Sequence, residues 1–171
     1  MKGRVFELHL KPEVGEERGL PKPPVQMAEI STLGLVGDFN RYRHELLHDE
    51  PTSAVLVLPF ETLEVLREEG WPVRPGDLGE NITTQGIPYR DMGPGTTLET
   101  GSVTLEVTRP CDPCTNLYLL PYVGESRGPE FIKTTFGRRG WYCRVTHRGS
   151  IHVGDAITAT PGPTPTSIRP G

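Results

Sequence analysis

The chain has 171 residues, a length that fits one domain with a substantial core. Its 20 glycines and 18 prolines predict many turns and few long helices, and 35% hydrophobic beside 23% charged residues exclude a disordered chain. The formal charge of −4 argues against non-specific nucleic-acid binding, and no apolar stretch approaches the roughly 20 residues of a membrane span. We therefore expect neither a nucleic acid nor a membrane as partner.

Short strands dominate the predicted elements in the first half of the chain. Alternating apolar residues predict a half-buried strand over residues 2–10, and a second strand is predicted over 25–30 after a proline-rich loop. Residues 33–38 predict a tight, glycine-dependent turn. The unbroken apolar run at 54–58 predicts a strand that is buried on both faces.

Two helices are predicted among these strands. The first follows Pro59, repeats apolar residues at helical spacing and ends at Gly70, which can adopt the left-handed closing conformation. The second covers residues 129–136, with a proline at its start and Gly137 after its end.

The second half of the chain returns to strands. Two alternating runs around a Thr-Gly turn predict a hairpin at 97–107, and later strands are predicted at 141–146 and 156–160, joined by a glycine-containing connection. This pattern predicts a mainly β single domain over residues 1–160, a barrel or a sandwich with a few short helices. Residues 161–171 contain four prolines and are predicted to be a disordered tail.

A basic segment stands out from the acidic remainder of the chain. Between Glu130 and Asp155 there is no acidic residue, whereas five basic residues occur there: Lys133, Arg138, Arg139, Arg144 and Arg148. Clustered arginines suit an anionic small molecule, because the planar guanidinium matches phosphate and carboxylate oxygens. The alternative is a solvated face whose charges point apart.

The N-terminus and the cysteine count predict a reducing compartment. No apolar run and no small-residue cleavage site follow the first charged residues, so a secretory signal is not expected and a cytoplasmic location is. The odd number of cysteines, three, favours free thiols or a transient redox role over a disulfide framework.

Cys111 and Cys114 lie in a proline-containing loop directly after the predicted hairpin. A zinc site would need two more ligands, for which the downstream candidates are Cys143, His147 and His152. A thioredoxin-like redox pair would need a βαβ setting that this chain lacks. A reactive thiol beside arginines such as Arg109 is the third interpretation, and a buried filler, the role expected for Cys143, is the fourth.

Residues 75–82 carry two glycines around Asp77, followed by Glu80 and Asn81. Glycines let the backbone approach a ligand closely, with carboxylate and amide groups beside it. The same residues could also form no more than a turn that leads into a strand.

His44, Glu45 and His48 match the short His-Glu-x-x-His pattern of zinc peptidases. That pattern requires a longer helix, whereas this stretch is only about ten residues long and is closed by Pro51. A peptidase site is therefore not expected here.

Taken together and in this order, the motifs resemble the MOSC domain, a module found at the C-terminus of molybdenum cofactor sulfurases and in stand-alone bacterial proteins. The resemblance covers residues 1–160. The matching motifs are Gly-Leu-x-Gly-Asp at 34–38, a histidine before the next strand at His48, Pro-Gly-Asp-x-Gly-Glu-Asn at 75–81, Pro-Cys at 113–114, and a glycine series ending in Gly-Asp at 154–155.

This resemblance implies a closed or partly open β-barrel of the MOSC type that binds a molybdenum pyranopterin cofactor. The residues that it implies as cofactor contacts in the motifs are Asp38, His48, Asp77, Glu80 and Asn81. It also implies that the cofactor's phosphate needs arginines such as Arg138, Arg139 or Arg144. Cys114 would then be a persulfide carrier that passes sulfur to the metal, or a thiolate ligand of molybdenum.

One position departs from the family pattern. Many members carry an arginine where this chain has Cys111. Either Arg109 replaces that charge, or Cys111 is a second catalytic cysteine, a resolving thiol for a persulfide on Cys114.

The resemblance leaves three activities open. The first is sulfur transfer, for which a partner such as a cysteine desulfurase would supply the sulfur, because this chain contains no pyridoxal-phosphate domain. The second is a molybdenum-dependent reduction of N-hydroxylated compounds, which needs an electron donor. The third is a non-catalytic module that only binds the cofactor.

Overall fold

The computed structural model describes residues 1–14 and 20–163, and only the backbone at Arg41 and Tyr42. Most of the predicted disordered tail thus lies outside the described residues. The strands are β1 (Lys2–His9), β2 (Pro24–Val25), β3 (Met27–Ser31), β4 (Gly34–Leu35), β5 (Val55–Pro59), β6 (Ile82–Gln85), β7 (Thr97–Thr100), β8 (Val103–Pro110), β9 (Trp141–His147), β10 (Gly149–His152) and β11 (Ala156–Thr160). The α-helices are α1 (Arg41–Glu45), α2 (Phe60–Glu68) and α3 (Gly124–Thr135), and short 3-10 helices cover Pro51–Ser53, Tyr89–Asp91 and Thr115–Leu119.

Seven strands form a closed barrel in the order β11, β7, β8, β9, β5, β6, β1. The barrel closes because β11 pairs with β7 on one side and with β1 on the other, where Lys2 faces Thr158. Neighbouring strands are antiparallel except β5 and β6, which are parallel. The prediction of a mainly β barrel with a few short helices is confirmed, and the barrel is closed.

Two predicted boundaries in the strands are wrong. The strand predicted over 25–30 is two strands, because β2 pairs with β1 whereas β3 pairs with β10 in a separate three-stranded sheet with β4. Residues 149–152, predicted as part of a connection, form β10. Both differences depend on pairing partners that are distant in the sequence.

β5 is buried along its whole length, as its apolar run predicts. Val55 and Val57 belong to the barrel core, Leu58 packs in a second cluster under the helices, and Leu56 lies with Cys111 and Tyr142 in a third. This strand therefore separates the barrel interior from the helical side of the molecule.

The two longer helices pack on that side. α2 follows Pro59, and the chain leaves the helix through Gly70, which has the predicted left-handed backbone with a φ of 94°. α3 begins at Gly124 instead of residue 129, so that Pro129 lies inside it. The helix packs closely over this longer span: Phe131 is fully buried, and a side chain on Gly128 would collide with the ring of Tyr118. No helix within the described ranges is long and apolar enough to cross a bilayer.

Candidate functional site

An open pocket lies where β8 ends and the chain enters β9. The residues of its lining that carry chemistry are Lys22, Phe39, Arg109, Cys114, Arg139 and Tyr142. They come from segments far apart in the sequence, which the barrel and its loops bring to one place.

Cys114 is the half-buried thiol of this pocket. Arg139 Nη1 donates to Cys114 Sγ at 3.3 Å and to the Asp112 carbonyl at 2.8 Å, while its Nε donates to the Leu78 carbonyl at 3.3 Å. Burial by itself would lower the pKa of the Arg139 guanidinium. The neighbouring sulfur atoms of Cys111 and Cys114 outweigh that effect, so the pKa of Arg139 is raised. Arg139 therefore remains a fixed cation against the Cys114 sulfur.

Cys111 lies beneath the pocket surface. Its side chain packs with Leu56 and Tyr142, and Cys111 is only 1% exposed. Burial raises the pKa of the Cys111 thiol, and the Arg139 charge only partly opposes this. Cys111 is thus a protonated thiol that is shielded from solvent. Cys111, Cys114 and Cys143 are all free cysteines.

Arg109 is placed by the pairing of β8 with β9, which sets it opposite Tyr142. Its guanidinium carbon lies 4.7 Å from the centre of the Tyr142 ring, and its Nη2 donates to Ser53 Oγ at 2.9 Å. A cation held against an aromatic face is stabilised by the ring quadrupole. The strand register thus fixes a second cation in the pocket.

Lys22 is a third cation of the pocket and was not predicted from the sequence. Its Nζ lies 2.7 Å from Asp38 Oδ2, and both side chains are almost completely buried. Burial lowers the pKa of Lys22, whereas Asp38 opposes that shift. Asp38 also accepts from the Lys11 backbone N–H at 2.9 Å and from Asn81 Nδ2 at 2.8 Å. The predicted contacts Asp38 and Asn81 therefore stand behind Lys22 and hold it in place.

Asp77 and Glu80 stabilise the loop that precedes β6. Glu80 Oε1 accepts from the Gly76 backbone N–H at 2.6 Å and from Thr83 Oγ1 at 3.1 Å, and burial raises the pKa of Glu80. Asp77 Oδ2 accepts from the Tyr122 hydroxyl at 2.8 Å. These carboxyl groups do not line the pocket, although Gly79 between them does.

Three other predicted contacts lie elsewhere on the surface. Arg138 makes two hydrogen bonds of 2.7 Å to the carboxylate of Glu69. Arg144 lies 3.6 Å from Glu106, and His48 is an exposed turn residue with a φ of 49°. Of the predicted site residues, the structure brings Arg109, Cys114 and Arg139 together in the lining, and it does not bring His48, Arg138 or Arg144 there.

The described residues give no support to the zinc alternatives. No group of three His, Cys, Asp or Glu side chains within them could hold a metal ion. α1 ends at Glu45, so His44 and His48 do not share a helix, and His44 Nδ1 is instead 2.7 Å from Asp49 Oδ2.

Comparisons with known proteins agree with this fold. The family model of the MOSC domain matches residues 44–158. YuaD from Bacillus subtilis is similar in structure, with a TM-score of 0.74 and 18% identity over 93% of this chain and 96% of that one. YiiM from Geobacillus stearothermophilus has a TM-score of 0.71 and 23% identity over 93% of this chain and 75% of that one.

YiiM from Escherichia coli has a TM-score of 0.66 and 22% identity over 94% of this chain and 70% of that one. No curated protein matched the chain. The family model covers about two thirds of the sequence, including β5 to most of β11 and the loop of Cys114. The chain is therefore a member of the MOSC domain family.

Proposed function

We propose that this protein binds a molybdenum pyranopterin cofactor in the pocket and carries sulfur as a persulfide on Cys114. The observation that carries the proposal is the Cys114 thiol, half-buried in the pocket and hydrogen-bonded at 3.3 Å to the guanidinium of Arg139. A thiolate is the form of cysteine that attacks sulfur donors and binds soft metals, and an adjacent fixed cation stabilises it.

The residues of the pocket suit such a cofactor. Lys22, Arg109 and Arg139 offer N–H donors to an anionic group such as a phosphate, and the rings of Phe39 and Tyr142 line the same space. The Cys114 sulfur, which lines the same pocket, would meet the metal of such a cofactor as a soft donor. The bound cofactor supplies a redox-active metal that can accept sulfur.

Each of the three cationic residues of the pocket has a defined role in this proposal. Arg139 donates a hydrogen bond to the Cys114 sulfur and places a positive charge beside it, and Arg109, fixed between Ser53 and Tyr142, orients the anionic part of the ligand. Lys22, held by Asp38, adds a third donor. The sulfur comes from outside the chain, for example from a cysteine desulfurase, and the free thiols favour the cytoplasm as the compartment.

The test is elemental analysis of the protein from molybdate-supplied cells, with a fluorescence assay for oxidised pterin. We expect molybdenum and pterin in the wild type, and cyanide-labile sulfur that disappears in Cys114→Ala but not in Cys143→Ala. A Cys114→Ala variant that retains both cofactor and cyanide-labile sulfur contradicts the proposal, as does a wild type without molybdenum. Tightly held molybdenum with turnover of an N-hydroxylated compound, but no labile sulfur, would assign the reductase activity instead.

A further inference from the structure

Three cationic side chains line the pocket that contains the thiol of Cys114. Lys22 comes from the loop before β2, Arg109 from β8, and Arg139 from the residues before β9, and all three line the pocket. Lys22 is only 3% and Arg139 only 7% exposed. Buried cations are rare unless a partner stabilises them, so these two nearly buried cations and the half-buried Arg109 in one pocket with a thiol require an explanation.

Protein groups satisfy only part of the hydrogen-bonding capacity of these cations. Within residues 1–14 and 20–163, no acceptor is hydrogen-bonded to Arg139 Nη2, which lies beside the pocket residue Gly79. Arg109 uses only Nη2, toward Ser53, and Lys22 uses one of its three N–H bonds, toward Asp38. Donors therefore remain for a ligand with several acceptor atoms.

The carboxylates near the pocket do not cancel the positive charge of these three side chains. Asp38 is fully buried behind Lys22 and neutralises that charge. The side chain of Asp112 is exposed, and it is the backbone carbonyl of this residue that accepts from Arg139. The pocket thus combines two arginines and the thiol with one solvated carboxylate, an arrangement suited to a small oxyanion.

We propose that the pocket binds a sulfane-sulfur oxyanion, thiosulfate, and that Cys114 takes the outer sulfur of this small molecule. This inference rests on the sulfur-carrier part of the proposed function and names a donor for it. The sulfonate oxygens of thiosulfate accept from Arg109, Arg139 and Lys22, which directs the sulfane sulfur toward Cys114 Sγ.

The transfer needs no further oxidant or reductant. The Cys114 thiolate attacks the sulfane sulfur, a new S–S bond forms, and the S–S bond of thiosulfate breaks with its electron pair leaving on sulfite. Thiosulfate is itself the oxidant: Cys114, whose thiol proton has gone to solvent, is taken to the persulfide level, and the sulfonate sulfur departs at the level of sulfite. The negative charge that develops on sulfite lies against the guanidinium groups, which stabilise it. A nucleophile such as cyanide then takes the outer sulfur as thiocyanate and releases the thiolate.

The experiment incubates the purified protein with thiosulfate, measures the mass of the intact chain and of the Cys114 peptide, and then measures thiocyanate after addition of cyanide. We expect one extra sulfur atom on Cys114 in the wild type and in Cys143→Ala, and none in Cys114→Ser. Arg109→Met should raise the half-saturating thiosulfate concentration by about tenfold or more, the loss expected for a hydrogen bond to a charged group. Arg90→Met, which removes an exposed arginine outside the pocket lining, is the matched control and should leave that concentration unchanged. Sulfite should compete with thiosulfate, whereas chloride of equal ionic strength should not.

Two results would overturn this inference. One is a wild type that takes no sulfur from thiosulfate while a cysteine desulfurase with cysteine loads sulfur on Cys114. In that case the small-molecule donor is wrong and the sulfur carrier stands. The other is a half-saturating concentration that is equal in wild type and Arg109→Met, with both proteins unfolding at the same temperature. If neither donor loads Cys114, the proposed sulfur-carrier function fails as well.

Discussion

At the scale of single residues, the three cysteines differ in what surrounds each sulfur atom. Cys114 is half-buried beside Arg139, Cys111 is sealed under Tyr142, and Cys143 lies in the barrel core, where burial raises the pKa of its thiol. Reactivity follows thiolate content and access, so sequence proximity alone does not make Cys111 and Cys114 equivalent.

We expect only Cys114 to react rapidly with a chromogenic disulfide reagent in the folded protein at neutral pH. Cys111 and Cys143 should react only after unfolding in guanidinium chloride, because both are buried. Cys114→Ser should remove the rapid phase and Cys143→Ala should keep it. Rapid modification of more than one thiol in the folded wild type would refute this assignment.

The Lys22 and Asp38 pair is the second residue-scale feature. Removing one partner of a buried ion pair leaves an uncompensated charge, which costs about 3–5 kcal/mol. Asp38→Ala should therefore lower the free energy of unfolding by about that amount in urea titrations.

The surface pair of Arg138 and Glu69 provides the control. It is partly exposed on both sides, so Glu69→Ala should cost about 0–1 kcal/mol. The double variant Lys22→Met with Asp38→Leu should recover part of the loss of Asp38→Ala, because no unpaired charge remains. Equal losses in Asp38→Ala and Glu69→Ala would show that the buried pair does not stabilise the fold.

At the scale of elements, the loop of residues 75–81 is constrained most closely at Gly76. Gly76 has a φ of 86°, its N–H donates to Glu80, and a side chain there would collide with the Lys22 carbonyl and lie 2.8 Å from His9 Nδ1. The loop thus packs directly against the segment that carries Lys22. A glycine is required for two reasons, the left-handed backbone and the absence of space.

Gly37 provides a comparison in which only the first reason, the left-handed backbone, applies. It has nearly the same φ, 87°, but open space around it. Gly37→Ala should cost about 1–2 kcal/mol from the left-handed backbone alone. Gly76→Ala should cost at least about 1–3 kcal/mol more from overpacking, measured by urea unfolding. Equal costs would mean that the Lys22 segment moves away without penalty.

At the scale of the whole molecule, closure of the barrel depends on β11. Thr158 in this strand faces Lys2 of β1 on one side and Glu99 of β7 on the other, and its own side chain is exposed. The first and last strands of the barrel are therefore joined through backbone hydrogen bonds between residues more than 150 positions apart.

Thr158→Pro should disrupt the pairing of β11 with its neighbours, because proline has no N–H for the hydrogen bonds of a strand that is paired on both sides. We expect a lower urea midpoint and a broader transition followed by circular dichroism. Thr158→Ala keeps the backbone donor and should change the free energy of unfolding by no more than about 0.5 kcal/mol. A proline variant as stable as the alanine variant would show that closure at β11 contributes little.

Features that depend only on neighbouring residues could be predicted from the sequence. The apolar run predicted β5, the spacing after Pro59 predicted α2, and the motif order indicated the family. These patterns can be read locally because the period of side-chain burial in a strand or helix is a property of consecutive residues.

The tertiary structure alone decided which charges meet. Arg139 turns into the pocket while its neighbour Arg138 pairs with Glu69 on the surface, and Lys22 reaches the pocket because Asp38 and Asn81 hold it there. The partner of a charged side chain depends on which distant segments the barrel brings within a few ångströms. Coulomb and hydrogen-bond energies fall steeply with separation and exposure, so no local pattern encodes that choice.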